Sequence, residues 1–331
     1  RPDVRPHRPA SGWAMSELIP EAEAEATSPV IGSVPRSGRA VAWDRRRASA
    51  AGVWRGLRND RLAMVGLVVL VLFALLAFAA PWLSDESSLS AANTGDNPIW
   101  APPSWEFLFG TDHLGHSVAA QFLWGSRISL FVGLMATLLQ IGIGSLIGLT
   151  AGFFGGWVDS VLMRLTDWFL VVPFLPLAIV LAAVLERGLW TIILVIGITS
   201  WPSTARLLRA QVLTVRQRLY VDRARSLGAG RLHLMRRHIL PNVTPLILAS
   251  TTLAVPISIL TETTLSFLGL GDPTSTSWGG MLNSAKDNSA ISGGRWWAYM
   301  PPGLGIVFVV LAVTLFGRAL EEILDPRLRQ R

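Results

Sequence analysis

The sequence predicts an all-α, polytopic membrane protein with six transmembrane helices and both termini in the cytoplasm. Hydrophobic residues make up 51% of the chain and charged residues 15%, and the mean hydropathy is +0.45. Since soluble domains carry about 25% charged residues, this chain has too little charge to cover a water-exposed surface. The net charge is +7, and almost all of the positively charged side chains are arginines. These arginines lie beside apolar spans, which fits the positive-inside rule rather than nucleic-acid binding.

The N-terminal part of the chain, residues 1–60, is expected to be a disordered cytoplasmic tail. It lacks apolar periodicity and is rich in proline, alanine, glutamate and arginine. We expect Met15 to be the native start, with residues 1–14 upstream of it. Arginines crowd the end of the tail and precede an apolar run over 62–83, which is too long for a signal peptide and is interpreted as the first membrane helix.

The remainder divides into a first unit over 61–127, a core over 128–320 and a cytoplasmic tail over 321–331. The first unit contains the first helix and a loop over 84–127, which we place outside the cell because it carries a single arginine, at its very end. The core is expected to hold the other five membrane helices. Their predicted spans are about 128–154, 165–185, 189–208, 242–268 and 301–320.

Glycines recur at every fourth position late in the second span, at Gly144, Gly148 and Gly152. Small residues at this spacing let two helices approach closely in lipid. The spacing favours tight packing within the chain over a self-dimer. The third span contains Pro173 and Pro176, which we expect to kink it.

The most polar internal stretch follows the fourth span. Residues 206–241 contain nine arginines, which places this loop in the cytoplasm. We predict a short helix over 220–227, a glycine break, a second amphipathic turn over 232–239 and a proline, Pro241, that opens the fifth span. Ala224, Ser226 and Gly228 are small enough to let another surface approach. These features indicate a docking element.

Few residues could carry chemistry. Glu262 lies within the apolar fifth span, and intramembrane carboxylates are costly and usually paired or functional. We treat it as a pathway candidate, with exposure at the external interface as the alternative. Asp167 is expected to be interfacial or paired. His233 and His238 are five residues apart and are not expected to share a helical face.

Catalytic and metal-binding patterns are weak. Asp112, His113 and His116 could ligate a metal, but no fourth ligand is evident and a polar external loop is the favoured interpretation. There are no cysteines. The only lysine, Lys286, is not part of a glycine-rich phosphate loop, so the chain itself lacks the motif that binds ATP.

The docking stretch resembles the cytoplasmic EAA loop of ABC-importer permeases. Asp222 stands at the glutamate of that motif and keeps its charge, whereas Arg223 replaces the first of its two alanines. Gly228 and Pro241 match the glycine and the terminal proline of the motif. By this resemblance, the residues that would contact an ATPase are Tyr220, Asp222, Arg223, Ala224, Ser226, Leu227, Gly228, His238 and Pro241.

The resemblance extends from about residue 61 to 329 and is to the second permease subunit of dipeptide and oligopeptide ABC importers, a group that includes nickel and glutathione permeases. Six further elements occur in the family's order. They are Gly110-Thr111-Asp112 with Leu114-Gly115; Gly125 to Leu130; Ala151 to Gly156 with Asp159; Thr199 to Pro202 with Arg206; Leu265 to Gly271 with Ser277-Trp278-Gly279; and Leu324 to Leu328.

The resemblance implies a type I ABC importer permease fold in the bacterial plasma membrane and a non-catalytic subunit forming half of a pathway for peptides. Its implied partners are a homologous permease, two ATPase subunits or domains that bind ATP and Mg²⁺, and an extracytoplasmic substrate-binding protein. An ion-coupled secondary transporter is the alternative and would be expected to show inverted repeats. A membrane-embedded enzyme is a third hypothesis, for which the sequence offers no catalytic constellation.

Overall fold

The computed structural model describes residues 52, 54–85, 89 and 97–324. The predicted disordered tail over 1–60 lies outside the described residues up to residue 51, but its end is helical over 54–59. Of the predicted C-terminal tail over 321–331, residues 321–324 are helical and 325–331 lie outside the described residues. Within them, regular structure is helical apart from one isolated bridge between Thr111 and Ser117. The long helices are α1 (Arg61–Leu83), α2 (Val118–Phe154), α3 (Gly156–Val171), α4 (Phe174–Val184), α5 (Leu189–Arg216), α8 (Leu240–Phe267) and α10 (Met300–Leu324).

Shorter helices connect them. The arginine-rich loop contains α6 (Leu219–Ser226), α7 (Arg231–Leu234) and a π-helical turn (Met235–Ile239) that runs directly into α8. The connection between α8 and α10 contains α9 (Trp278–Asp287) and a 3₁₀ turn (Trp296–Ala298), neither of which was predicted. The structure thus confirms a mostly helical chain, and α9 lies in a segment for which the sequence predicted no helix.

Five of the described helices are long and apolar enough to cross a membrane: α1, α2, α5, the continuous helix Arg231–Phe267, and Met300–Ile323 of α10. The pair α3 and α4 passes the same test jointly but is bent by 86°. Counting that pair as one span makes six, in agreement with the predicted number.

The kink expected in the third span, over 165–185, is present, but the predicted start of that span is wrong. Helical structure begins at Gly156, nine residues before the predicted start at 165, and breaks between Val171 and Phe174. Pro173 causes the break, because proline lacks an N–H and forces the preceding residue out of the helical region. Val172 accordingly has ψ 125°.

The second helix is also longer than predicted, since it begins at Val118 rather than near 128. The Ser117 hydroxyl caps it by accepting a hydrogen bond from the Ala120 N–H. At 37 residues and 1.5 Å per residue it is about 55 Å long, which exceeds a hydrocarbon core of about 30 Å. One end of α2 therefore stands outside the apolar layer.

The centre of the bundle is the packing of α2 on α5. A Cβ built on Gly148 would lie 2.5 Å from the Ala205 carbonyl oxygen, and one on Gly144 would lie 2.7 Å from Thr204 Cβ. The absence of side chains at these positions allows the two backbones to touch. The prediction that these glycines serve packing within the chain is confirmed.

The candidate docking loop and a buried carboxylate

Helix α6 ends in a motif that requires glycine for local reasons. The Gly228 N–H donates to the Arg225 carbonyl at 3.0 Å, and the Ala229 N–H donates to the Ala224 carbonyl at 3.1 Å. This is the Schellman pattern, whose C′ residue takes left-handed backbone angles. Gly228 has φ +83°, and a Cβ added to it would meet nothing within 4 Å. Gly228 is therefore explained by the turn and also faces open space.

One side of α6 is fixed to the bundle. Val221 is fully buried and belongs to a cluster with Leu208, Val212 and Val215 of α5 and with Val243 of α8. Ala224 packs at the edge of that cluster rather than on the free face. Ala224 is half-buried at this edge, and its contact with a partner stays a prediction.

The other side of α6 carries charge and exposed leucines. Asp222 and Arg225 form an exposed ion pair with 3.1 Å between Nη1 and Oδ1, and Arg223 and Ser226 are also exposed. Leu227 is 88% exposed, Leu219 77% and Leu232 62%. The sequence analysis missed Leu219 and Leu232. Leucines in a segment otherwise rich in arginine could have indicated these exposed apolar positions.

The π-helical turn corrects the expectation about the two histidines. The rings of His233 and His238 lie 5.9 Å apart, and His238 also lies 6.1 Å from the Tyr220 ring. A π turn closes over five residues rather than four, so residues five apart come onto one face. Tyr220 and His238 thus join α6 to the start of α8. Pro241 is the second residue of α8 and follows the π turn directly.

Two ion pairs connect α3 to α5, the helix that leads into the arginine-rich loop. Arg209 of α5 contacts both carboxylate oxygens of Asp159 of α3, at 2.5 and 2.6 Å. Arg206 contacts Asp167 at 2.5 Å. The prediction that Asp167 is interfacial or paired is confirmed as to pairing. Bidentate arginine–carboxylate geometry fixes orientation as well as charge, so α3 and α5 are positioned together.

The Gly110-Thr111-Asp112 element fastens the loop ahead of α2. Asp112 Oδ1 accepts hydrogen bonds from the backbone N–H groups of Leu114 and His116, both at 2.8 Å, and Oδ2 accepts one from Gln121 at 2.5 Å. The Asp112 oxygens are thus already occupied by donors of the loop and of α2. In the part of the chain that the structure describes, no group of three acidic, histidine or cysteine side chains is placed to hold a metal ion.

Glu262 is 2% exposed, which contradicts the alternative that it lies at an exposed interface. Its carboxylate accepts hydrogen bonds from Ser266 at 2.8 Å and from Ser129 of α2 at 3.2 Å. Ser129 in turn accepts the Trp278 N–H at 3.1 Å, at the start of α9. Glu262 therefore connects α8 and α2 inside the chain, and α9 joins them through Ser129. Its role in a substrate pathway stays a prediction.

We predict that Glu262→Leu destabilises the chain, because it leaves the buried hydroxyls of Ser129 and Ser266 without their acceptor. The expected loss is about 1–3 kcal/mol. Glu262→Gln retains an acceptor oxygen and should lose less. Thermal unfolding in detergent, followed by circular dichroism, measures both variants. Equal unfolding temperatures for the two would show that the hydrogen bonds to Glu262 contribute nothing measurable.

Comparison with known proteins accords with this architecture. The family model "binding-protein-dependent transport system inner membrane component" matches residues 144–330. A second model, "N-terminal TM domain of oligopeptide transport permease C", matches residues 50–103. Together they cover α1 and the helices from within α2 onward.

Relatives of similar length match most of the chain. The dipeptide transport system permease protein DppC of Bacillus subtilis (strain 168) is 38% identical over 278 residues, covering 84% of this chain and 85% of its own. The oligopeptide transport system permease protein OppC of the same strain is 39% identical over 276 residues, covering 82% and 88%. A putative peptide permease protein of Brucella suis biovar 1 is 39% identical over 275 residues, covering 81% and 88%.

These matches define the class as multi-pass inner-membrane permease subunits of bacterial ABC transporters, which are not themselves catalytic. The chain belongs to the family of binding-protein-dependent transport system inner membrane components. The resemblance drawn from its motifs to the dipeptide and oligopeptide permeases is confirmed.

Proposed function

We propose that this chain forms half of the translocation pathway of an ATP-driven peptide importer and couples to ATPase subunits through residues 206–241. The observation that carries the coupling is the free face of α6. Leu227, which is 88% exposed, lies beside Gly228 and the Asp222–Arg225 ion pair. Exposed apolar side chains rimmed by charge are typical of a protein-binding surface.

The lipid bilayer is a poor occupant for this surface. Arg223 and Arg225 lie on the same short helix as Leu219, so burial of the leucines in the apolar layer would bring these charges close to it. A protein partner can instead receive the leucines while the arginines and Asp222 remain hydrated at the rim. Asp222, Arg223, Ser226, Leu227 and Gly228 are all exposed and are the proposed contacts.

The packing of α6 supports a route for coupling. Because Val221 is buried against α5 and α8, a displacement of α6 by a partner moves side chains in the same cluster. The Arg209–Asp159 pair extends this connection from α5 to α3. We propose that ATP binding and hydrolysis by the partners move α6 and that these helices follow, so that the pathway alternates between two states. Such a shift requires partners that bind the two states with different affinity.

The proposed assembly contains a homologous permease, two ATPase subunits or domains that bind ATP and Mg²⁺, and a substrate-binding protein outside the membrane. The names of the relatives support peptides as the substrate class. The proposed topology places both termini and residues 206–241 in the cytoplasm, as the arginine distribution favours.

The absence of cysteine from the chain allows a direct test. Leu227→Cys and Ser292→Cys each introduce one thiol at an exposed position, on loops that we place on opposite sides of the membrane. In intact spheroplasts, a membrane-impermeant maleimide should label only Ser292→Cys. In the assembled transporter, a maleimide–amine cross-linker should join Leu227→Cys, and not Ser292→Cys, to an ATPase subunit. Labelling of Leu227→Cys from outside would overturn the topology, and failure to cross-link would overturn the docking assignment.

A further inference from the structure

An apolar groove lies on the side of the bundle formed by α1 and α10. It has a volume of about 470 Å³, which falls in the range of small-molecule sites. Its wall includes the aromatic rings of Phe73, Phe122 and Phe308. Gly305 also lines it and is buried, since a Cβ built there would lie 2.7 Å from the Phe122 ring. Trp296 and Trp297 line one end. Every residue that lines the groove is apolar or aromatic.

The groove runs along helices that face lipid. Both α1 and α10 meet the criteria for membrane spans, and only 17% of the most apolar window of α1 is buried by the rest of the chain. The lining residues of α10 extend from Met300 to Phe308, which is about 12 Å at 1.5 Å per residue. This length is close to that of one leaflet, which is about half of a 30 Å hydrocarbon core.

An arginine precedes the two tryptophans in sequence and is not itself one of the residues that line the groove. Arg295 immediately precedes the 3₁₀ turn Trp296–Ala298, and its guanidinium lies 4.3 Å from the centre of the Trp100 ring. Among the residues that the structure describes, no carboxylate forms an ion pair with Arg295. Tryptophan and arginine at a helix end are typical of the headgroup level of a bilayer. An arginine without an acidic partner at that level suits a phosphodiester.

We propose that the groove between α1 and α10 binds a phospholipid, with one acyl chain along Phe73, Leu304 and Phe308 and its phosphate at Arg295. The occupant is an acyl chain because the wall offers no hydrogen-bonding side chain apart from the indoles at its end. This site is separate from the docking loop and does not depend on the proposed coupling.

The test uses the purified transporter reconstituted in lipid with a phospholipid that carries a photoactivatable group at its acyl terminus. Leu304→Trp fills the groove. Leu311→Trp is the matched control, because Leu311 lies two turns further along α10, is exposed to a similar extent (52% against 49%) and does not line the groove. We expect mass-spectrometric mapping to find cross-links concentrated at the lining residues, reduced at least fivefold by Leu304→Trp and unchanged by Leu311→Trp.

Three results would overturn the proposal. Even labelling along all exposed faces of α1 and α10, with no difference between the two variants, would mean a general lipid boundary. Absence of labelling in the groove would mean that another subunit covers it. Equal labelling by a diacylglycerol probe with the same chains and no phosphate would show that the groove does not recognise a phosphate and that Arg295 does not contribute to binding.

Discussion

Replacing Gly228 with leucine is expected to abolish transport while the chain still inserts and folds. The new side chain would project into the open space beside Leu227, where the ATPase is proposed to bind, and would prevent close approach. The backbone at φ +83° also strains any residue other than glycine, at a cost of about 1–2 kcal/mol. Peptide uptake by vesicles containing the whole transporter measures the effect, with the amount of inserted chain determined in parallel.

Gly294→Leu separates the two causes. Gly294 has φ +69°, is exposed, and has no atom within 4 Å of a built Cβ, so leucine there carries the same kind of strain in a different loop. We expect Gly294→Leu to transport close to the wild-type rate. If both variants lose uptake equally, backbone strain accounts for the loss and the steric argument for docking fails. Normal uptake by Gly228→Leu would remove that argument directly.

Replacing Trp278 with alanine is expected to destabilise the chain more than any other single truncation considered. Trp278 is fully buried, stacks on Phe122 with ring centres 5.4 Å apart and meets the edge of Phe73 at 5.6 Å. Its indole N–H donates to the Phe122 carbonyl at 3.0 Å. Truncation of a buried tryptophan costs about 3–5 kcal/mol. The loss should also release α9 from α1 and α2, since Trp278 is the first residue of α9.

The matched control is Trp168→Ala, because Trp168 is of the same type and is 76% exposed in the chain. Thermal unfolding in detergent should show a large decrease in midpoint for Trp278→Ala and little change for Trp168→Ala. Comparable midpoints would show that the packing of α9 on the bundle is not a major source of stability.

The number and approximate position of the membrane helices could be predicted because apolar composition and arginine placement act over whole segments. The second and fifth spans also carried local detail, since Gly148 indicated a close helix contact and Pro241 a helix start. These features depend on nearest neighbours in the chain. The docking loop was found for the same reason: it is a polar, arginine-rich stretch between apolar ones.

Features that depend on which helices meet could not be predicted. Pro173 and Pro176 predicted a kink in the third span but not a bend as large as 86°, since Pro81, Pro202 and Pro256 lie within long helices without breaking them. The contact of His233 with His238 requires a π turn, which the sequence pattern does not predict. The buried partner of Glu262 is Ser129, which lies on α2 and is 133 residues earlier in the chain. Such packing is a property of the whole bundle.

The most direct test of the account is whether ATPase subunits remain bound when Asp222 is replaced by arginine. Asp222 is exposed and paired only with Arg225 among the contacts that the structure describes, so the substitution reverses the charge at this position of α6 without disturbing the core. Glu186→Arg makes the same charge change at an exposed position on the connection between α4 and α5.

Detergent-solubilised transporter would be captured through this chain, and the co-purified ATPase subunits and their substrate-stimulated ATP hydrolysis would be measured. The account predicts that wild type and Glu186→Arg retain both, and that Asp222→Arg loses the subunits or loses stimulation. Full retention of both by Asp222→Arg would contradict the assignment of the α6 face as the coupling site. Capture of no ATPase by any of the three proteins would contradict the ATP-driven mechanism itself and favour ion-coupled transport.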